Sequence, residues 1–130
     1  MTHAFGHRNV YVEIQRHFQR GENETVRNLK HLAEAHDLPL VATNGVLYAS
    51  RPYSEVLDVF TCIREHTHLD AAGRLLSGNE ERHIKGSAEM ARLFADLPEA
   101  IANTERIADR LDFTLENLGY SFPDFPVPSG

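Results

Sequence analysis

Two apolar patterns of different period, set on either side of a helix-length segment, constrain this chain more than any other feature. Across Asn9–Gln15, Val10, Val12 and Ile14 alternate with Tyr11, Glu13 and Gln15. Period two with β-branched residues predicts a strand with one buried face. Leu38–Thr43 reads Leu-Pro-Leu-Val-Ala-Thr, a nearly continuous apolar run. That pattern predicts a strand covered on both faces, as in a parallel sheet. Between the two, Gly21 breaks the first pattern and Asn23 is placed to cap a helix over Glu24–His36. Val26, Leu29, Leu32 and Ala33 give that helix an apolar stripe. Strand, helix and strand in about 35 residues make a βαβ unit with a right-handed crossover.

Asn44-Gly45 closes the second strand, and Arg51-Pro52-Tyr53 reads as a loop. Ser54 is placed to cap a helix running to Glu65, with Val56, Leu57, Phe60 and Ile63 on its apolar face. A polar connection, His66–Glu81, contains Gly73 and Gly78, and Arg82–Lys85 could form a short strand. Ser87 is placed to cap the next helix, where Met90, Leu93, Phe94 and Leu97 fall at i, i+3, i+4 and i+7. Asp96 as N-cap, Pro98 in the first turn and Glu99 in the capping-box position restart the helix. Ile101, Thr104, Ile107, Ala108 and Leu111 continue one face. From Gly119 the tail carries Pro123, Pro126 and Pro128, which predicts an extended connection. There is no internal repeat.

Length and charge then exclude whole classes of function. The chain has 130 residues, 42% of them hydrophobic and 25% charged, which is ordinary for one soluble domain. No apolar run approaches the ~18–20 residues a membrane span needs. The first residues, Met-Thr-His-Ala-Phe-Gly-His, lack the apolar core of a secretory signal. One cysteine, Cys62, forms no internal disulfide and fits a reducing cytoplasm. Its place on a helix among apolar neighbours reads as a buried structural thiol. Net charge is −6. Residues 1–50 are balanced, so the deficit lies in residues 51–130. An acidic surface argues against autonomous binding of a phosphate backbone. A two-strand unit is also a poor core alone, because its sheet edges are open. The sequence therefore reads as starting inside a larger domain.

Specific stretches carry a family likeness. Val10-Tyr11-Val12-Glu13-Ile14-Gln15-Arg16-His17 and Leu38-Pro39-Leu40-Val41-Ala42-Thr43-Asn44 resemble the end of the PHP domain of bacterial C-family DNA polymerases. That family comprises the DNA polymerase III alpha subunits and their error-prone relatives. Leu93-Phe94-Ala95-Asp96-Leu97-Pro98-Glu99-Ala100-Ile101-Ala102-Asn103-Thr104 is similar to the segment leading into the polymerase core. Phe122-Pro123-Asp124-Phe125-Pro126-Val127-Pro128 is similar to the proline-rich strip that follows. Thr61-Cys62-Ile63-Arg64-Glu65-His66-Thr67, Leu69-Asp70-Ala71-Ala72-Gly73-Arg74 and Leu118-Gly119-Tyr120 resemble the error-prone branch. The likeness covers nearly the whole chain in the family's order. It implies an α/β fold: a partial PHP-type βαβ unit over 1–65, a connection over 66–86, a small mainly helical lead-in over 87–118 and a proline-rich tail over 119–130.

The likeness also implies what this chain lacks. Polymerisation needs paired carboxylates holding two divalent cations about 3.5–4 Å apart, and in the family those aspartates lie beyond the equivalent of Gly130. Asp109 and Asp112 sit at a helix end and read as solvated. Where family members with an intact metal centre carry Asp-x-His after Ala-Thr-Asn, this chain has Gly45 and Leu47, neither of which ligates through its side chain. No catalytic residue, metal site or cofactor is expected in this chain, and Mg²⁺ is expected only for the parent polymerase. His66 and His68, and His3 and His7, have pairwise ligand spacings but no third partner. Arg16, His17 and Arg20, after the first strand, are candidate DNA contacts, although a solvated strand end explains His17 more simply. The expected partners are the rest of the polymerase chain and, through it, DNA and the sliding clamp. Two readings follow: an architectural piece of an error-prone, damage-induced DNA polymerase, or a free-standing interaction or homodimerisation module derived from one. A small metal phosphoesterase is disfavoured by Gly45 and Leu47.

Overall fold

Val12 and Ile14 point inward and Glu13 outward on strand β1, Val12–Ile14. In the computed structural model, which describes residues 2–114, 116 and 119, the period-two pattern is met by a three-residue strand. β1 pairs in parallel with β2, Leu40–Ala42, in the register Val12↔Leu40, Glu13↔Val41 and Ile14↔Ala42. Val41 and Ala42 are both buried, as a near-continuous apolar run requires when both faces are covered. Both strands are shorter than the apolar patterns that announce them. The element order is α1 (Thr2–Phe5), a 3₁₀ turn at His7–Asn9, β1, α2 (Glu22–Ala35), β2, a 3₁₀ turn at Arg51–Tyr53, α3 (Ser54–Arg64), α4 (Leu69–Ala72), a 3₁₀ turn at Gly73–Leu75, α5 (Ser87–Leu93) and α6 (Pro98–Ala108). The chain is thus mixed α/β, with a two-strand parallel sheet and helices.

The two halves of the sequence share one core. Ile14 and Ala42 from the sheet bury against Phe94, just past α5, and Ala100 of α6. Leu29, Leu40, Met90, Leu93, Leu97 and Ile101 pack around them. Phe94 and Ile14 are fully buried, and each such side chain is stabilised by about 1.5–3 kcal/mol relative to exposure. A two-strand sheet cannot supply that burial alone, and the helical segment completes it. α6 also closes an edge of the sheet. The Pro39 carbonyl faces β1, accepting from the Val12 N–H at 2.9 Å, so the neighbouring Leu40 carbonyl faces outward. The Asn103 side chain, itself buried, donates to that Leu40 carbonyl at 2.7 Å. This satisfies a group that an edge strand would otherwise leave open.

Four helix starts differ from the sequence expectation. Asn23 is not the cap of α2. Gly21 takes that place with φ of +84°, and Glu22 is already helical. Ser54 is the first helical residue of α3, because the preceding 3₁₀ turn brings the backbone into helical conformation by Tyr53. Ser87 likewise lies inside α5, with Gly86 as its cap. Leu97 occupies the cap position of α6, and the Asp96 carboxylate is held by Arg16. Pro98 does open α6, where its missing N–H costs nothing. The polar connection contains α4 and a 3₁₀ turn, and Arg82–Lys85 is reduced to a single parallel bridge between His83 and Tyr48. Residues 120–130, including the proline-rich strip, lie outside the described residues. No helix among the described residues is long and apolar enough to cross a membrane.

The apolar face of α3 is the largest departure. Val56, Phe60 and Ile63, expected inward, are 47%, 64% and 63% exposed, and Val59 beside them is 46% exposed. Ser54, Thr61 and Cys62, on the other side of the helix, are the buried residues. The i, i+3, i+4, i+7 stripe formed by Val56, Val59, Phe60 and Ile63 therefore has no cover among the described residues.

Candidate functional site

Parallel sheets place their crevices at the carboxyl ends of the strands. Here the turn after β1, the loop after β2 and the loop 79–85 converge there. His17 is buried, and its Nε2–H donates to the Asn44 carbonyl at 2.9 Å. Since a carbonyl only accepts, Nε2 carries the proton, and Nδ1 lies 3.8 Å from Glu22 Oε1. The Glu22 carboxylate bends back over the turn and accepts the backbone N–H groups of His17 and of Phe18, the latter at 2.9 Å. Asn44, also buried, donates from Nδ2 to the carbonyls of Glu81 at 3.0 Å and His83 at 2.6 Å. Asn79 donates to the His17 carbonyl. The strand ends and the 79–85 loop are thereby tied into one polar cluster.

A charge network backs this cluster. Lys85 Nζ is 3.0 Å from Glu81 Oε2, and its side chain is 1% exposed. Arg51 lies 3.0 Å from Glu81 Oε1. Burial pushes the Glu81 carboxyl up, but the Lys85 hydrogen bond and the charges of Lys85, Arg51 and His83 outweigh it and hold the group below its ordinary value. Glu13, on the outward face of β1, accepts from Thr43 Oγ1 and, at 2.9 Å, from Gln15 Nε2, and these bonds lower its pKa. Glu13, Gln15, His17 and Glu22 line an open cleft of about 410 Å³.

The residues singled out from the sequence fall into different roles. Arg16 turns away from the cleft. Its guanidinium donates to both Asp96 oxygens at 2.6 and 2.8 Å and to the Leu93 carbonyl at 2.7 Å, and it lies 5.0 Å from the centre of the Phe94 ring. His17 is not a solvated strand end, because loops 43–44 and 79–83 fold over it. Arg20 is exposed at the rim. Gly45 has φ of +50°, and a Cβ there would come within 2.5 Å of Gln15 Oε1. Leu47 is half exposed. Neither position offers a metal donor, and among the described residues no three His, Cys, Asp or Glu side chains gather as a metal site would need. His66, at φ of +52°, follows the end of α3, and Cys62 is buried and unpaired.

Sequence reasoning missed Glu22, Asn44, Asn103 and the Glu81–Lys85 pair. Two signals were present: the i, i+4 spacing of Glu81 and Lys85, and an asparagine on the buried face of α6.

No family model matches the chain. Curated relatives do. The error-prone DNA polymerase of Rhodopseudomonas palustris is 46% identical over 121 residues, covering 93% of this chain and 10% of that protein. The error-prone DNA polymerase of a Bradyrhizobium species is 46% identical over 113 residues, 87% of this chain and 10% of its own length. Error-prone DNA polymerase 1 of Rhizobium meliloti is 42% identical over 115 residues, 88% of this chain and again 10% of its length. The chain spans about a tenth of the length of the curated relatives it matches.

Proposed function

We propose that this chain, a homologue of one segment of the C-family error-prone DNA polymerases, serves an architectural role in such a polymerase. It finishes a PHP-type sheet and joins it to the lead-in of the polymerase core. The observation that carries this reading is the shared core, in which Phe94 and Ala100 close over Ile14 and Ala42. Arg16 reinforces the joint by reaching Asp96, 80 positions along the chain. The parent reaction is template-directed nucleotidyl transfer from deoxynucleoside triphosphates with Mg²⁺, in damage-induced synthesis. Its aspartates belong to the part of the polymerase outside this segment. DNA and the sliding clamp are partners of that whole polymerase, and the cytoplasm is its location.

The exposed α3 stripe favours a second reading, an interaction or homodimerisation module. In the first reading the rest of the polymerase chain covers Val56, Val59, Phe60 and Ile63; in the second, another copy does. The test is catalytic. The folded chain is given a primed template, deoxynucleoside triphosphates and Mg²⁺, then an aryl phosphate with Mn²⁺. No primer extension and no phosphate release are expected. Turnover in either assay, abolished by no impurity control, overturns the architectural reading.

A further inference from the structure

The chain carries a net charge of −6, yet four of its 13 Lys and Arg side chains line one open groove of about 1190 Å³. Arg20 comes from the turn after β1, Arg64 from the last residue of α3, Arg74 from the turn after α4 and Arg82 from the loop that meets Tyr48. Among the described residues no aspartate or glutamate lines the groove. Among the described residues Arg20, Arg74 and Arg82 make no ion pair, while Arg64 meets its exposed neighbour Glu65 through Nε at 2.8 Å. Like charges gathered in a concavity focus a positive potential there, whatever the sign of the whole molecule. Guanidinium groups match phosphate oxygens as two-pronged donors.

A second feature narrows the anion. Phe18 also lines the groove, is 72% exposed, and sits at φ of +56°. The left-handed region is uncommon for a bulky residue, and such strain gathers at binding sites. The Glu22 carboxylate holds the turn in that shape by accepting the Phe18 N–H. An exposed ring lining the same groove as four cations suits a ligand that carries both phosphates and free base faces. A duplex keeps its bases stacked and offers none to Phe18.

We infer that this groove binds single-stranded nucleic acid, with Arg20, Arg64, Arg74 and Arg82 on the phosphates and Phe18 stacked on a base. The inference goes beyond the architectural role and does not depend on it. It also qualifies the exclusion drawn from net charge, since the basic residues are concentrated where the average hides them.

Fluorescence anisotropy of a labelled oligothymidylate with the 130-residue chain tests it. Four phosphate contacts predict a slope of roughly −3 for log affinity against log salt. Arg20→Gln with Arg74→Gln, both exposed positions, halves that slope to about −1.4. Phe18→Ala weakens binding by at least about fivefold and leaves the slope unchanged. Circular dichroism confirms that each variant is folded. No anisotropy change at low salt, an unaltered slope in the double variant, or equal binding of a duplex of the same length overturns the inference. Displacement by polyglutamate as effective as by unlabelled oligothymidylate reassigns the groove to acidic polypeptides and overturns it equally.

Discussion

Replacing Arg16 by alanine should cost far more than replacing its partner Asp96, although the two form one ion pair. The pair is bidentate, at 2.6 and 2.8 Å, but the Asp96 side chain is 59% exposed. Screening by solvent limits such a pair to about 0.5–1 kcal/mol. Arg16 makes two further contacts that Asp96 does not share. A charged donor meets the Leu93 carbonyl at 2.7 Å, worth about 1.5 kcal/mol. The guanidinium also lies over the Phe94 ring at 5.0 Å, worth about 0.5–1 kcal/mol. Arg16→Ala is thus expected to destabilise by about 2.5–3.5 kcal/mol and Asp96→Ala by about 0.5–1 kcal/mol. Urea unfolding followed by far-ultraviolet circular dichroism measures both, and the double variant gives a coupling near the Asp96 value. Equal losses for the two single variants would mean that the ion pair dominates. A loss below about 0.5 kcal/mol for Arg16→Ala would show that this side chain does not join the two halves.

Other expectations follow from the same geometry. Phe94→Ala empties the centre of the shared core and should cost about 3–5 kcal/mol in the same unfolding assay. Gly45→Ala combines a positive φ with a clash against Gln15, so a loss of about 1–3 kcal/mol is expected there. Phe60→Glu should leave stability within about 0.5 kcal/mol, since the ring is exposed, while reducing fluorescence of a bound hydrophobic dye. Asp96, held low chiefly by its hydrogen bond from Arg16, shares a lowered pKa with Glu81 and Glu13. Carboxyls depressed in the folded state stabilise it fully above their unfolded value of about 4, and that contribution is lost as pH falls through the folded values. The urea midpoint should therefore drop on acidification below about pH 4, and less so in Asp96→Ala, where one contributor is gone.

How legible this was depended on the range of the interaction involved. The alternation of Val12, Glu13 and Ile14 is a local consequence of the pleat, and it placed the strand and its buried face correctly. The run Leu38–Thr43 likewise announced a parallel partner. The stripe Met90, Leu93, Phe94 and Leu97 named the residues that build the core. Helix caps read poorly because the helix starts answer to contacts outside the helical pattern: Arg16 draws Asp96 away from α6 from 80 positions away, Glu22 folds back onto the turn before α2, and the 3₁₀ turn at Arg51–Tyr53 makes Ser54 helical. His17 was misplaced for the same reason, since its cover comes from Asn44 and Asn79. The α3 stripe shows a different limit. Periodicity says that Val56, Phe60 and Ile63 form a face, but not what lies against it. The family likeness read from Val10–His17 and Leu93–Thr104 agrees with the error-prone DNA polymerases that match this chain over nine-tenths of its length.

The most direct test of an architectural role exchanges this chain for the matching segment of the Rhodopseudomonas palustris error-prone DNA polymerase, with and without Phe94→Ala. Primer extension and thermal unfolding are then followed together. An architectural role predicts parental extension by the chimera. With Phe94→Ala the unfolding midpoint falls, and extension is lost only above that midpoint. Loss of extension at temperatures where the Phe94→Ala chimera is fully folded would contradict it, because activity would then depend on this segment beyond its role in holding the fold together.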